Sequence, residues 1–458
     1  MSVVVSLRSR GAVGSAARTA AVLSRFGATA SAMAGRLERY RAIAASFGAR
    51  PTWPATACVL ARHPDMLRRY ADDGAELAVH GLVHGDHALY DYETQRETIA
   101  RAVAIFERAG LAPVGFRGPY LRYNDATLRV LRELGFRYHS SQAFAFPRYD
   151  ASGNPLPGNR AYELALELYA ARDAARLAVR PRFRDGLVDI PVAIPDDEII
   201  LERLRLDEAA ATAEWLRIFE HSYARGDLFT IQLHPERILE LEGALRATLA
   251  AAARRRPRVF HARLDEIADW WRRRGSFALA VRRSGPGSVR VHLDADPDAR
   301  LVTRGLAVAG ELWDGDTLVE RGSFEVASER MPVVGLSHRT PPQVRAFLSE
   351  EGLPFEDSED PSAYGAYVDV GDGDWSETAL LESIERSPGP LVRLGRWPNG
   401  ARSALARHRR RPLWTRRGRA PGRGRREHPR VRLADVVLDG ADAERDAAPK
   451  PLGRVAHL

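Results

Sequence analysis

The chain has 458 residues, 45% of them hydrophobic, which gives room for two or three domains with packed cores. Its single cysteine, Cys58, excludes an intrachain disulfide or a cysteine metal cluster. No run approaches the ~18 apolar residues of a membrane-spanning helix, and the first ten residues are too weakly apolar for a signal peptide, so the expectation is a cytoplasmic protein with no membrane span. The formal charge of +8 sits in one place, since Arg407 to Arg432 hold 12 arginines against one acid, Glu427, a net +11 that leaves −3 for the rest.

In chain order, Ala12 to Phe26 and Thr29 to Phe47 read as Ala- and Arg-rich helices, and Pro51 to Leu60 as a strand. His63-Pro64-Asp65 opens a helix that ends at Gly74, and Glu76 to His80 is a short buried strand. Ile99, Ala102, Val103 and Phe106 form a helical stripe closed by Gly110, and Val114 to Arg117 returns as a strand. Asn124 caps a helix carrying Leu128, Leu131 and Leu134, stopped by Gly135, before the strand Phe136 to Ser140. Such alternation indicates parallel β/α units. Further strands are expected at Gly186 to Ile194 and Leu228 to Leu233, and a closing helix at Leu264 to Arg274.

At Gly275 the pattern turns β-rich. Phe277 to Val281 and Val289 to Leu293 flank Ser284-Gly-Pro-Gly287, a hairpin signature, and alternation continues near Leu301–Val308 and Ser323–Val326. Helices are expected at Pro342 to Glu351 and Glu377 to Arg386. Three regions follow: 1–274, 275–400 and a basic tail from 401. From Arg407 the text is Arg-, Pro- and Gly-rich without apolar period, which reads as disordered. Its one aromatic, Trp414, offers little base stacking, so nucleic-acid or anionic-surface binding through the tail is the weaker functional reading. With one lysine, Lys450, against 67 arginines, the composition points to a GC-rich gene. The abrupt switch at Arg407 then suggests an out-of-frame reading, the alternative being a genuine basic tail. Translating the DNA after the Ala406 codon in the other two frames decides between them.

Three motifs carry chemistry: His80-Gly-Leu-Val-His84, Phe116-Arg117-Gly118-Pro119-Tyr120 and Leu233-His234-Pro235-Glu236-Arg237. Two imidazoles four residues apart reach one metal ion if the backbone presents them together. A poised imidazole such as His234 can donate a proton near neutral pH when a carboxylate orients it. Asp189 or the pair Asp196-Asp197 could be that carboxylate, and the sequence leaves the choice open. His87 and Asp86 could support or substitute for the metal-binding histidines, but the favoured reading is that they are solvated loop residues.

In this order, over residues 50–274, the motifs resemble the NodB-homology polysaccharide deacetylases, carbohydrate esterase family four. The resemblance implies an α/β fold built as a distorted (β/α) barrel, with functional residues at the carboxyl ends of strands. It implies a metal-dependent hydrolase that removes an N-acyl group from an amino sugar or glycan, so the partner expected is a small-molecule or oligosaccharide substrate. His80 and His84 would bind a divalent metal, zinc, and Arg117 would orient a catalytic aspartate. The backbone N–H near Tyr120 would serve the oxyanion, and His234 would be the general acid. The family follows its tyrosine with glycine, where this chain has Leu121. The family's first motif, Thr-Phe-Asp-Asp, supplies the base and the third metal ligand. Here no Asp occurs from Met1 to Pro64, and Glu38 is the only carboxylate there. Asp72-Asp73 lies seven residues before His80, roughly 20 Å away at the opposite strand end. An inactive NodB-like domain that binds metal or glycan is therefore the competing reading. A closed ring could also take its first strand from the far end of the chain, and Ala401 to Ala406, after the turn Pro398-Asn399-Gly400, reads as a short buried strand.

Overall fold

The computed structural model describes residues 30–150, 154–256, 258–313, 315–370 and 375–395. The helix read at Ala12–Phe26, the strand at Ala401–Ala406 and the tail from Arg407 lie outside them.

Helix α1 (Ala30–Ser46) ends just before Gly48, whose φ of 69° turns the backbone towards β1 (Thr52–Ala55). Then follow α2 (Ala57–Arg62), α3 (Pro64–Asp72), β2 (Glu76–Val79), α4 (Tyr92–Arg108), β3 (Gly115–Phe116), α5 (Asp125–Glu133) and β4 (Tyr138–His139). Local chemistry sets these boundaries. Pro64 occupies the first turn of α3, and the Asp91 carboxylate accepts from Thr94 N at 2.8 Å to start α4. Asn124 and Thr127 form a reciprocal capping box at α5.

The chain continues through β5 (Ala143–Ala145), α6 (Arg160–Leu168), β6 (Arg172–Asp173), β7 (Arg182–Arg184), β8 (Leu187–Asp189) and β9 (Val192–Ile194). One sheet has the order β1-β2-β3-β4-β8-β7, parallel except for β7, and a second has β6-β5-β9. The expected strand Gly186–Ile194 is thus two strands in two sheets, because Pro191 interrupts it. The expected strand Pro51–Leu60 ends at Ala55, and Ala57 begins a helix instead. Helices α7 (Glu208–Arg225), α8 (Ile238–Arg254) and α9 (Leu264–Arg274) complete this part. α9 lies across the amino ends of the strands: Leu264 N donates to Thr52 Oγ1 at 2.8 Å, and Arg272 Nη2 to Gly186 O at 2.9 Å.

One expectation fails in an informative way. Leu228–Leu233 is extended but is not a strand, and no backbone hydrogen bond involves Phe229–Leu233 among the described residues. A strand exists only by pairing, and here one flank is a cavity. β1 likewise pairs with β2 and with no other described strand, so the ring does not close among the described residues.

Beyond Gly275 lies the β-rich region: β10 (Ala278–Gly285), β11 (Ser288–Asp294), β12 (Arg300–Arg304), β13 (Glu311–Trp313), β14 (Asp316–Glu320), β15 (Gly322–Ala327) and β16 (Met331–Leu336). It finishes with α10 (Pro342–Glu351), β17 (Phe355–Asp357), β18 (Tyr364–Val368), α11 (Glu377–Arg386) and β19 (Leu391–Leu394). The expected hairpin is β10–β11, and both expected helices are present with the expected bounds.

An ionic seam joins the two parts. Arg180, Arg182, Arg225 and Arg273 pair with Glu351, Glu377, Glu382 and Asp296, while Asp227 also accepts from Arg180 and Arg225. Arg274 donates to the carbonyls of Glu350, Glu351 and Gly395. No helix of the described residues is long and apolar enough to cross a membrane.

Candidate active site

The carboxyl ends of β2, β3 and β4 deliver the polar groups. His80 follows β2, its N–H donating to Ala55 O at 3.0 Å. Its ring Nδ1–H donates to Arg117 O at 2.7 Å, which leaves Nε2 with a free lone pair. Burial, with the positive groups His84 and Arg117 nearby, outweighs that hydrogen bond and lowers the His80 pKa to about 3, so the ring is neutral at physiological pH. The His84 ring centroid lies 5.0 Å from that of His80, and burial followed by the charge of His234 lowers its pKa too. Gly81 makes the turn between them. Its φ is 81°, and a Cβ there would meet Val83 O at 2.8 Å and His87 Nε2 at 3.0 Å.

Arg117, at the end of β3, is buried, and burial depresses its pKa to about 10. Its guanidinium donates to Ser140 Oγ at 2.8 Å and to Gln232 Oε1, and Gln232 Nε2 donates to Asp196 Oδ2 at 2.7 Å. No described carboxylate forms an ion pair with Arg117, and its buried Nε has no hydrogen-bond partner among the described residues.

His234 is held by Asp197, not by Asp189. Its Nδ1–H donates to Asp197 Oδ1 at 2.9 Å, and its backbone N–H to Oδ2 at 2.7 Å. Burial opposes the imidazolium, but the Asp197 hydrogen bond and charge, helped by Glu236 and Asp196, prevail and raise the pKa to about 9. Asp196, deeply buried beside Asp197, is pushed up. Asp189 instead faces buried His139 at 3.5 Å. His87 is not solvated: it is 2% exposed and packs edge-on to Phe116, while Asp86 accepts from Arg122 at 2.7 Å.

Tyr120 is 47% exposed, its ring 4.6 Å from that of His84. Tyr120 and Leu121 have φ of 58° and 54°, a left-handed pair that costs non-glycine residues about 1–2 kcal/mol each. The expected glycine position is thus strained here, and Leu121 is retained by burial against Ala143, Val192 and Ile194. Leu121→Gly would relieve the strain but lose about 2–3 kcal/mol of apolar burial. A net loss of about 1 kcal/mol is expected in denaturant midpoints, and a stabilised variant would show that strain dominates.

His80, His84, Arg117, Tyr120 and His234 line one cavity of 1040 Å³. Ser140 and Gln232 complete the network with Asp197, and these two, unlike Asp197, were not singled out in the sequence as site residues. The adjacent polar run Ser140-Ser141-Gln142 at a strand end was the available signal. For a metal, the donor chemistry of His80 and His84 fits two ligand positions. Among the described residues no group of three His, Cys, Asp or Glu side chains could hold an ion.

A strand-end site on parallel β/α units defines the class as an α/β protein with a histidine-arginine centre. Residues 33–139 match the model of the polysaccharide deacetylase family, in line with the resemblance read from the motifs. A peptidoglycan deacetylase-like protein, FGM2, of Gibberella zeae is 32% identical over 91 residues, which is 20% of this chain and 27% of the relative's length. Solved polysaccharide deacetylases from Mycobacterium smegmatis and Pseudomonas aeruginosa PAO1 are similar at 23% and 22% identity, each with a TM-score of 0.40. They cover 51% and 52% of this chain, and 76% and 73% of theirs.

Proposed function

We propose that this chain is built on the plan of a metal-dependent deacetylase that hydrolyses the N-acyl amide of an amino sugar or glycan. The observation that carries the reading is His234, held by Asp197 and lining one cavity with His80, His84 and Arg117. An imidazolium with a pKa of about 9 is charged at neutral pH, so it can give a proton to a departing amine. His80 and His84 would hold a divalent ion, zinc by the nitrogen ligands, which supplies Lewis-acid polarisation of an acyl oxygen and of water. Neutral His80, its Nδ1–H tied to a carbonyl, presents Nε2 for that purpose. The exposed Tyr120 ring at the mouth offers a flat face to a sugar.

The test is amine release from N-acetylated oligosaccharides with zinc added, in the wild type and in His234→Ala. Release that is lost or cut by at least about 10²-fold in the variant supports the acid role. Equal rates would remove it. Zinc content gives a second check: the double variant His80→Ala/His84→Ala should retain none, and metal content equal to wild type would end the metal reading.

A second reading has its own observation. The buried Arg117 guanidinium lacks a carboxylate partner, and no third ligand stands beside the histidines among the described residues. A domain that binds zinc or glycan without turnover fits that gap. Zinc binding without amine release distinguishes it.

A further inference from the structure

The stretch Phe229–His234 sorts its side chains with a period of two. Phe229, Ile231 and Leu233 pack against the apolar core that holds Trp215, Ile238 and Leu241. The residues between them each hold a polar partner on the stretch from β8 to just beyond β9. Thr230 Oγ1 donates to Pro191 O at 2.7 Å, Gln232 Nε2 to Asp196 Oδ2 at 2.7 Å, and His234 Nδ1 to Asp197 Oδ1 at 2.9 Å. Gln232 thus stands one strand repeat, roughly 7 Å, before His234 in the same row. The other end of its amide is also engaged: Oε1 accepts from Arg117, whose Nη2 donates to Ser140 Oγ at 2.8 Å. An amide has one end that only accepts and one that only donates, so it joins a guanidinium to a carboxyl without setting donor against donor. Asp197 is occupied differently. His234 uses both of its oxygens, and Arg237 Nε lies 3.6 Å from Oδ2. Asp196 Oδ1 accepts from Ile199 N at 2.9 Å, and Trp215 Nε1 donates to Pro195 O at 3.3 Å, which pins the approach to the pair from α7.

We infer that the adjacent carboxyls have separate tasks: Asp197 holds His234, while Asp196 holds Arg117 through Gln232, so that Gln232 and Asp196 are positioning residues for the arginine. A guanidinium is planar, and bonds at both Nη atoms, to Ser140 after β4 and to Gln232, fix its plane as well as its place. An arginine side chain that is not held keeps about 2 kcal/mol of rotamer freedom. The bridge removes that freedom before any substrate arrives. One short turn after β9 therefore sets two groups, Arg117 and His234, at a fixed mutual position in the cavity that both line. The catalytic meaning of this rests on the deacetylase reading, in which a preorganised positive charge steadies negative charge developing in the cavity. The positioning itself does not depend on turnover.

The experiment is NMR of side-chain N–H groups on the full chain. Signals of Arg117 are those absent from Arg117→Lys, and signals of the Gln232 amide are those absent from Gln232→Leu. Rotation of the Arg117 guanidinium should be slow in the wild type. Gln232→Leu removes a charge-assisted hydrogen bond and should speed that rotation at least about tenfold. The His234 ring, still on Asp197, should keep its shifts there and report that the fold survives. Asp196→Ala should speed solvent exchange of the Gln232 amide and, by a smaller factor, rotation of Arg117. A third variant, Gln232→Glu with Asp196→Asn, is nearly isosteric and reverses the polarity of the bridge. Its introduced carboxylate accepts from Arg117 and from the introduced amide, whose oxygen accepts from Ile199 N. Rotation in it should stay within about threefold of wild type, since every donor again meets an acceptor. Unchanged rotation in Gln232→Leu would overturn the inference, as would Asp196→Ala indistinguishable from wild type at both groups, or fast rotation in the reversed pair. Amine release is read separately. Its absence in the wild type would end the deacetylase reading and leave the positioning to the NMR result, whereas a wild-type kcat in Gln232→Leu with a loosened Arg117 would deny the bridge its catalytic meaning.

Discussion

Asp197→Asn is expected to bring the titration midpoint of His234 from about 9 down to the ordinary imidazole range, because the carboxylate that holds the charge is gone. Proton-detected NMR of the imidazole reads this directly, and an unmoved midpoint would mean that Asp197 does not set the charge. The consequence for proton donation is large. At pH 8 a group of pKa 9 is mostly protonated, whereas one near 6.5 is about 3% protonated, so the acid form falls by about 30-fold. Any amine release should drop at least in that proportion, and the alkaline limb of its pH profile should move to lower pH. Stability follows the same linkage. The folded pKa of His234 lies above the unfolded value of 6.5, so its contribution is complete below pH 6.5 and is lost as pH rises through about 9. Wild-type protein should therefore lose stability between those values, and Asp197→Asn should lose that part of the slope.

The second large effect is on folding. Asp227→Ala should cost about 3–5 kcal/mol, because it strips a fully buried carboxylate from between Arg180 and Arg225 and leaves buried charge uncompensated. The denaturant midpoint measures it, and a loss below about 1 kcal/mol would show that Glu351 and Glu382 compensate on their own. Replacing Arg180, Asp227 and Glu351 together by apolar residues of similar size should cost far less, since no charge is then stranded.

The sequence was most legible where local chemistry decides the outcome. The capping box at Asn124, the proline at the start of α3 and the helical stripe of α4 each specify an element without help from distant residues. The three motifs were legible because strand ends bring residues of distant sequence position to one face. Other features depend on partners that the sequence does not announce. Leu228–Leu233 has the composition of a strand but lacks a described pairing partner, so composition alone misled. His87 looked like a loop residue, yet packing against Phe116 and Tyr90 buries it. Asp189 and Asp197 were equal candidates on paper. Register decides between them, since Asp189 lies opposite His139 in β4–β8 while Asp197 follows β9 towards His234.

The seam between the first part and the β-rich region is sorted by sign. In each crossing ion pair among the described residues, the guanidinium comes from before Gly275 and the carboxylate from after it. Each half is thus the other's counterion. A fragment ending near Arg274 would bare a row of arginines with half-empty hydrogen-bonding forks and would cling to polyanions for reasons unrelated to its native role. The complementary fragment would be repelled by the same surfaces. Deleting the β-rich region to isolate a smaller domain would therefore create an artificial anion binder, and a binding assay on such a fragment would report the cut, not the protein.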